Sequence, residues 1–317
     1  MTTYRLLNMS DTAACPDLFE AMGSRVDVVS RPADPRMLEN IIPDFDIYFA
    51  SLKVAVTRAI LDRAQRLKII VTPSTGTDHI DMAYAKSRGI TILSLKEERA
   101  FLDQVTATAE MAWALLLAVA RRLPWSFSAA QQGDWARDRF RGHQLSGKTL
   151  GILGYGRLGT LVAHYGQAFR MRVLACDILP VTLAPGVTRV DFDTLLRESD
   201  VLSIHIHLTD ANRRLINAAA LNRMKPDAFL INTSRGAIMD EAALLDALAQ
   251  GRLGGAGVDI IDGEWDTNLV NHPMIAYART HENLVISPHT GGVTFESQSM
   301  AYRFMAQKLK DHVERSR

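Results

Sequence analysis

The sequence predicts an α/β protein built from two doubly wound parallel-sheet domains, one nested within the other. Three observations predict it. Short apolar runs rich in β-branched residues alternate with helical patterns along most of the chain. A glycine-rich turn of the kind that binds nucleotides, GYGRLG at 154–159, starts almost halfway along. A helical segment at the C-terminal end follows a strand series that is already complete. At 317 residues the chain is long enough for two substantial cores.

The first series of strands is expected at Tyr4–Leu7, Val26–Val29, Asp46–Phe49, Lys68–Val71 and Ile90–Leu93, with helices at Thr57–Leu67 and Met82–Arg88 between some of them. This is the βαβ rhythm of a parallel sheet. Val105–Arg122, VTATAEMAWALLLAVARR, is apolar nearly all round, which predicts a helix buried between layers or against another subunit. The second series has six expected strands: Thr149–Leu153, Arg172–Cys176, Val201–His205, Ala228–Asn232, Gly255–Asp259 and Leu284–Ile286. Helices are expected at Gly156–Phe169, Phe192–Glu198 and Glu241–Gln250. Six strands with the glycine turn after the first suit a doubly wound nucleotide-binding sheet. Thr294–Arg317 reads as a helix with a mixed, partly charged surface. The expected division is therefore residues 1–100 with 294–317 in one domain and residues 101–293 in the other. No short-period repeat or low-complexity tract interrupts this plan.

The glycine turn has a chemical reading at each position. Gly154 supplies a tight turn, Gly156 lets backbone N–H groups approach a pyrophosphate, and Gly159 lets the following helix pack closely on the sheet. That helix would point its positive N-terminal end at the phosphates. The strand Arg172–Cys176 ends at Asp177, about 20 residues beyond the turn, where an acid suits ribose hydroxyls. No arginine follows closely to favour an extra phosphate, so NAD (NADH) rather than NADP is the expected cofactor.

Ligands of open parallel sheets gather at the carboxyl ends of the strands. Arg235 follows the fourth strand of the second series, where its planar fork can hold a carboxylate. Glu264 follows the fifth strand and His289 the sixth. A histidine and a carboxylate at neighbouring strand ends are what a general base and its orienter require. A lone histidine is more often a hydrogen-bonded structural residue. Three such residues at successive strand ends beside a nucleotide turn point to catalysis.

Composition excludes other classes. The formal net charge is +1 with no basic run, so no nucleic-acid partner is expected. Cys15 and Cys176 lie far apart, which suits a reducing compartment and hence a cytoplasmic location. The first residues lack the pattern of a signal peptide, and the most apolar run, Met111–Ala120, is too short to span a bilayer, so no membrane partner is expected. His205 and His207 share a strand face, but no Cys or carboxylate neighbours them in sequence, so no metal site is expected.

The segments GILGYGRLG…CD, INTSRGAIMDEAALLDAL, GAGVDIIDGE and ISPHTGG resemble the D-isomer-specific 2-hydroxyacid dehydrogenase family, which includes 3-phosphoglycerate dehydrogenases. STGTDHIDMAYAKSRGI, residues 74–90, extends the resemblance to the first domain. It implies a Rossmann NAD-binding domain inserted into a flavodoxin-like substrate domain. It also implies a small carboxylate-bearing substrate, with hydride passing between nicotinamide and its C2 carbon, and closure of the two domains to exclude water. By resemblance, His289 is the acid/base, Glu264 orients it, and Arg235 binds the carboxylate and polarises the carbonyl. Backbone N–H groups at Ser74, Thr75 and Gly76 would receive the carboxylate. Arg157 and Leu158 would lie under the pyrophosphate, Asp177 on the ribose and Thr233 and Asp259 on the nicotinamide side, with Gly291 and Gly292 completing the cofactor set.

There are departures from the family pattern. His207 stands where the family commonly has proline, and Trp265 replaces a proline after Glu264. The usual Pro-Gly-x-Asn turn is missing before Val105, where Lys96, Arg99 and Phe101 stand as candidates to approach the substrate. No regulatory domain follows residue 317, so no serine-type feedback module is expected. Two alternatives share the fold: a phosphite-type dehydrogenase, weakened by the lack of a lysine around 74–78, and a non-enzymatic NAD(H)-sensing corepressor. A homodimer is expected from the apolar helix and from family habit.

Overall fold

The computed structural model describes residues 3–13, 15–265 and 268–315. The chain divides into two compact units, residues 1–105 with 294–317, and residues 106–293. Among the described residues every strand pairing in both is parallel.

The first unit holds β1 (Tyr4–Asn8), β2 (Val26–Ser30), β3 (Ile47–Phe49), β4 (Ile69–Val71) and β5 (Thr91–Leu93), in the sheet order β2-β1-β3-β4-β5. This is the flavodoxin-like order. Alternation along the strands separates two apolar layers. Leu6, Phe49 and Val71 face one way and meet Tyr302, Met305 and Leu309, while Leu7, Tyr48 and Ile70 face the other and meet Leu38, Ile60 and Leu61. The C-terminal helix Phe295–Arg315 buries Ala301, Tyr302, Met305, Ala306, Leu309 and Val313, the three- and four-residue spacing of one helical face. Its polar face is tied down by Arg303, whose guanidinium donates to both oxygens of Asp17 at 3.0 and 2.8 Å. Side-chain caps start the shorter helices: Asp34 accepts from Met37 N at 2.8 Å and Asp81 from Tyr84 N at 3.0 Å.

Residues 101–105 belong to this unit, five residues later than the expected boundary. The reason is packing: Leu102 is buried in the first unit's core, and the Phe101 ring stacks on Phe304 with centroids 4.3 Å apart.

Among the described residues the second unit holds seven strands, one more than the sequence predicts: β6 (Thr149–Leu153), β7 (Arg172–Cys176), β8 (Val187–Arg189), β9 (Val201–Ile204), β10 (Phe229–Asn232), β11 (Gly255–Val258) and β12 (Leu284–Ile286). Their order is β12-β11-β10-β9-β6-β7-β8. The chain reverses its direction of winding between β6 and β9, which is the switch point where such sheets bind ligands. The unexpected strand is β8, a three-residue edge with no fully buried side chain, so it carries no apolar signature.

The helix Ala107–Ala120 is buried on both its Ala109/Trp113 side and its Leu115/Leu116/Val119 side. Its seat is the second unit's own sheet: a Cβ on Gly255 would stand 2.6 Å from Val119, and one on Gly257 would stand 3.0 Å from Leu115. Burial within the unit therefore accounts for its apolar sequence. Among the described residues no helix is long and apolar enough to cross a membrane.

Candidate active site

In the second unit the glycine turn leaves the carboxyl end of β6, whose five residues are all buried. Gly154 adopts φ +93°, a region that L side chains avoid, and a Cβ there would come within 2.7 Å of the His205 carbonyl oxygen. A Cβ on Gly159 would overlap the Gly154 carbonyl, so the helix Arg157–Ala168 can close on the turn only with glycine there. Gly156, by contrast, is exposed and has nothing within 4 Å of its Cβ position. The turn therefore presents open space in front of the N-terminus of a 12-residue helix, which is what a pyrophosphate needs. Arg157 and Leu158, the first two residues of that helix, are half-buried.

Asp177 stands at the end of β7 and is already engaged. Its Oδ2 accepts from Tyr155 N at 2.7 Å and its Oδ1 from Leu179 N at 2.8 Å, so it fixes the glycine turn to the neighbouring strand. An ionised carboxylate has further lone pairs for ribose hydroxyls. Arg189, at the end of β8, donates to the carbonyls of Asp177 at 3.5 Å, Leu179 at 3.3 Å and Val181. Sequence reasoning missed this arginine because it missed the strand that brings it alongside Ala175.

The residue after β9 is His205, whose Nε2 lies 2.8 Å from Ser203 Oγ while its Nδ1 has no accessible surface and no partner. Burial holds this imidazole at a pKa of about 4, so it is neutral at neutral pH. His207, two residues on, is exposed. Among the described residues, no three His, Cys, Asp or Glu side chains group so as to hold a metal ion.

The segment after β10 carries two of the expected residues. Asn232 accepts from Ser234 N at 2.9 Å and donates to the Arg235 carbonyl at 2.9 Å, shaping the turn from within. Thr233 Oγ1 is buried with no hydrogen-bond partner, an orphaned polar group that a ligand's amide would satisfy. Arg235 is half-buried, with Nη1 donating to the Ser234 carbonyl at 2.7 Å. The next residue must be glycine, because a Cβ on Gly236 would overlap the Ile261–Asp262 backbone. This close approach brings Arg235 beside the loop that bears Glu264.

Asp259, at the end of β11, is 2 % exposed and is a brace. Its Oδ1 accepts from Ser287 Oγ at 2.6 Å and Thr290 N at 2.8 Å, and its Oδ2 from Gly291 N at 2.7 Å. Its carbonyl accepts from His289 N at 2.7 Å. These bonds hold His289 at φ +54°, a left-handed conformation unusual for a histidine. Gly292 is exposed beyond this turn.

His289 Nδ1 lies 2.8 Å from Glu264 Oε1. An ionised carboxylate only accepts, so Nδ1 is the protonated nitrogen of the neutral ring and Nε2 carries the lone pair. Among the described residues nothing else bonds to the ring, so Nε2 is open. The Trp265 indole stacks on the imidazole, centroids 5.9 Å apart and planes 27° apart. The Glu264 loop is anchored in turn: Glu241 Oε1 accepts from Asp262 N at 2.8 Å, and His272 Nε2 lies 3.0 Å from the Asp262 carbonyl. Burial raises the pKa of Glu241. Neither this anchor nor the aromatic stack has a sequence signature.

In the first unit, the segment after β4 forms a loop whose Ser74 carbonyl accepts from Leu95 N at 3.0 Å. Ser74, Thr75 and Gly76 are half-buried. Among the described residues, no acceptor reaches the backbone N–H of Thr75, Gly76 or Thr77. Of the three departures near residue 100, Arg99 is paired with Asp103 at 2.7 Å and Phe101 with Phe304, while Lys96 is exposed.

Comparison with known proteins places this geometry in a family. Residues 113–291 match the model of the D-isomer specific 2-hydroxyacid dehydrogenase NAD binding domain. The hydroxypyruvate reductase of Thermotoga maritima is 34% identical over 285 residues, covering 90% of each chain. The structure of D-lactate dehydrogenase from Aquifex aeolicus, complexed with NAD and lactic acid, superposes with a TM-score of 0.83 at 27% identity, covering 98% of this chain and 95% of that one. An acyclic imino acid reductase in complex with NADPH and D-Arg gives a TM-score of 0.83 at 25% identity, covering 98% and 97%. The chain thus belongs to the D-isomer specific 2-hydroxyacid dehydrogenase family and is a nicotinamide-dependent oxidoreductase.

Proposed function

We propose that the protein interconverts a small D-2-hydroxy acid and its 2-oxo acid, with NAD as the preferred cofactor. The observation that carries this reading is the His289–Glu264 pair, bonded at 2.8 Å with Nε2 open, at the carboxyl end of the sheet that also bears the glycine turn and Arg235. A bound nicotinamide supplies or accepts the hydride at the substrate's C2 carbon. In reduction, protonated His289 donates from Nε2 to the oxygen developing negative charge at C2; in oxidation, neutral His289 takes the hydroxyl proton at the same atom. Glu264 fixes the ring's tautomer and orientation. Arg235 binds the carboxylate and polarises the carbonyl. The open N–H groups of the Ser74–Gly76 loop suit the carboxylate as well. Thr233 Oγ1 suits the nicotinamide amide, and Gly154, Gly156, Arg157, Leu158 and Gly159 suit the pyrophosphate. Asp259 and Gly291 shape the turn that carries the acid/base, and Gly292, exposed beyond it, suits the cofactor.

NAD is preferred because Asp177 places a carboxylate where the extra phosphate of NADP would sit. Arg189 spends its N–H donors on three neighbouring carbonyls, which leaves fewer of them for that added phosphate. The free cysteines Cys15 and Cys176 suit a reducing, cytoplasmic compartment. From the family resemblance alone we also propose a homodimer, which light scattering at micromolar concentration checks; a monomeric mass would overturn it.

The test of function is loss of NADH absorbance with glyoxylate, pyruvate, hydroxypyruvate and bulkier 2-oxo acids, run beside His289→Ala and beside NADPH. Turnover that disappears in the variant is expected. Absence of turnover with every acid, despite measurable NADH binding, would refute the reading.

A further inference from the structure

Behind the Ser74–Gly76 loop three side chains form a line. Ser74 Oγ lies 2.6 Å from the Gly76 carbonyl, Thr72 Oγ1 lies 2.9 Å from Ser74 Oγ, and His79 Nε2 lies 3.2 Å from Thr72 Oγ1. Counting hydrogens fixes the direction of every bond. A carbonyl only accepts, so Ser74 spends its one hydroxyl hydrogen on Gly76 O. The bond between the two hydroxyls is then donated by Thr72, whose one hydrogen is thereby used. The bond between Thr72 and His79 must therefore be donated by Nε2–H of the histidine. All four groups point one way, and each bond in such a chain polarises the next.

The chain ends on a peptide unit. In a trans peptide the C=O and the following N–H point in opposite directions. Drawing the Gly76 carbonyl towards Ser74 thus turns the Thr77 N–H the other way, and among the described residues that N–H has no acceptor. Thr72 is fully buried, so water does not compete for its hydroxyl. We infer that His79 is a positioning residue for substrate binding: through Thr72 and Ser74 it locks the Gly76–Thr77 peptide so that the Thr77 N–H, with those of Thr75 and Gly76, is presented to the substrate carboxylate. This inference rests on the proposed function, in which that loop receives the carboxylate.

The relay's bonds run through Thr72, Ser74 and Gly76 of the first unit, whereas the acid/base and the nucleotide turn belong to the second, so binding and chemistry are read separately. The experiment measures KM and kcat for glyoxylate, and NADH affinity by fluorescence, in the full-length protein and in His79→Ala, Thr72→Val and His79→Gln. Glutamine keeps an N–H donor at the Nε2 position, and valine keeps the buried shape of threonine. We expect KM to rise about tenfold in His79→Ala and in Thr72→Val, the worth of about one charge-assisted hydrogen bond. The kcat and NADH affinity should stay within about twofold, and His79→Gln should restore most of the loss. Unchanged KM in both disabling variants would overturn the relay while leaving the function intact. A fall in kcat or in NADH affinity equal to the change in KM would also overturn it, as would failure of glutamine to rescue a folded variant. If the parent protein turns over no 2-oxo acid, the function fails and the relay fails with it.

Discussion

Lowering the pH from about 7.5 to about 5 puts a proton on a histidine in an unfolded chain but not on His205. In the folded protein that imidazole titrates at about 4, against an ordinary value of 6.5, because its ring is buried. Its Nε2 is taken by Ser203, and a second proton would leave a buried Nδ1–H with no acceptor. Between the two values the unfolded state binds the extra proton, so stability is fully present above pH 6.5 and is lost as the pH falls towards 4. The whole loss is about 3 kcal/mol, and about 2 kcal/mol of it has accrued by pH 5. The assay is urea unfolding followed by circular dichroism near pH 7.5 and near pH 5, in the parent protein and in His205→Gln. Glutamine keeps the bond to Ser203 and cannot be protonated. The other histidines are common to both proteins and cancel. The parent protein should lose about 2 kcal/mol more than the variant between the two pH values. Equal losses would show that His205 is not the buried neutral group described above.

Other perturbations test the site directly. His289→Gln should lower kcat by about 10² to 10⁴ while NADH binding is retained, read by steady-state kinetics and fluorescence titration; an unchanged kcat would remove His289 from the chemistry. Arg235→Lys should raise KM for 2-oxo acids about tenfold or more, since a lysine cannot hold a carboxylate with two parallel bonds. Asp177→Ala should weaken NADH and improve the relative use of NADPH; no change in the cofactor ratio would contradict the role given to that carboxylate. Gly236→Ala should destabilise the protein by about 1–3 kcal/mol, visible as a lower melting temperature, because its Cβ has only the Ile261–Asp262 backbone to occupy.

Much of this fold was written in local pattern. The buried strands β3 and β4 are continuous apolar runs, and β6 and β9 are apolar but for Thr149 and Ser203, as a parallel sheet covered on both faces requires. β8 was illegible because an edge strand buries little and can be polar. Arg189 was lost with it. The residues proposed at the strand ends were legible by position: Arg235 and His289 stand three residues beyond β10 and β12, and Glu264 six beyond β11. What supports them was not. Asp259 carries no pattern that distinguishes a brace for the His289 turn from a contact to the cofactor, because its partners Ser287, Thr290 and Gly291 are set by the pairing of β11 with β12. Glu241 and His272 meet the Glu264 loop only through tertiary packing. The apolar helix Ala107–Ala120 suited burial inside the chain or against a second copy equally well, and the sheet beneath it accounts for the burial.

The strand order of the second unit also governs when activity can arise as the protein folds. The glycine turn follows β6, Arg235 follows β10 and His289 follows β12, and these strands are linked only by parallel pairings across β9 and β11. No local hairpin brings any two of them together, and such distant pairings form slowly. Helical content should therefore return early on dilution from denaturant. Turnover should lag until β12 has docked on β11 and the Asp259 bonds have closed. Regain of activity is thus a clock for the last step in assembling the sheet, and the lag between the two signals measures how late that step comes.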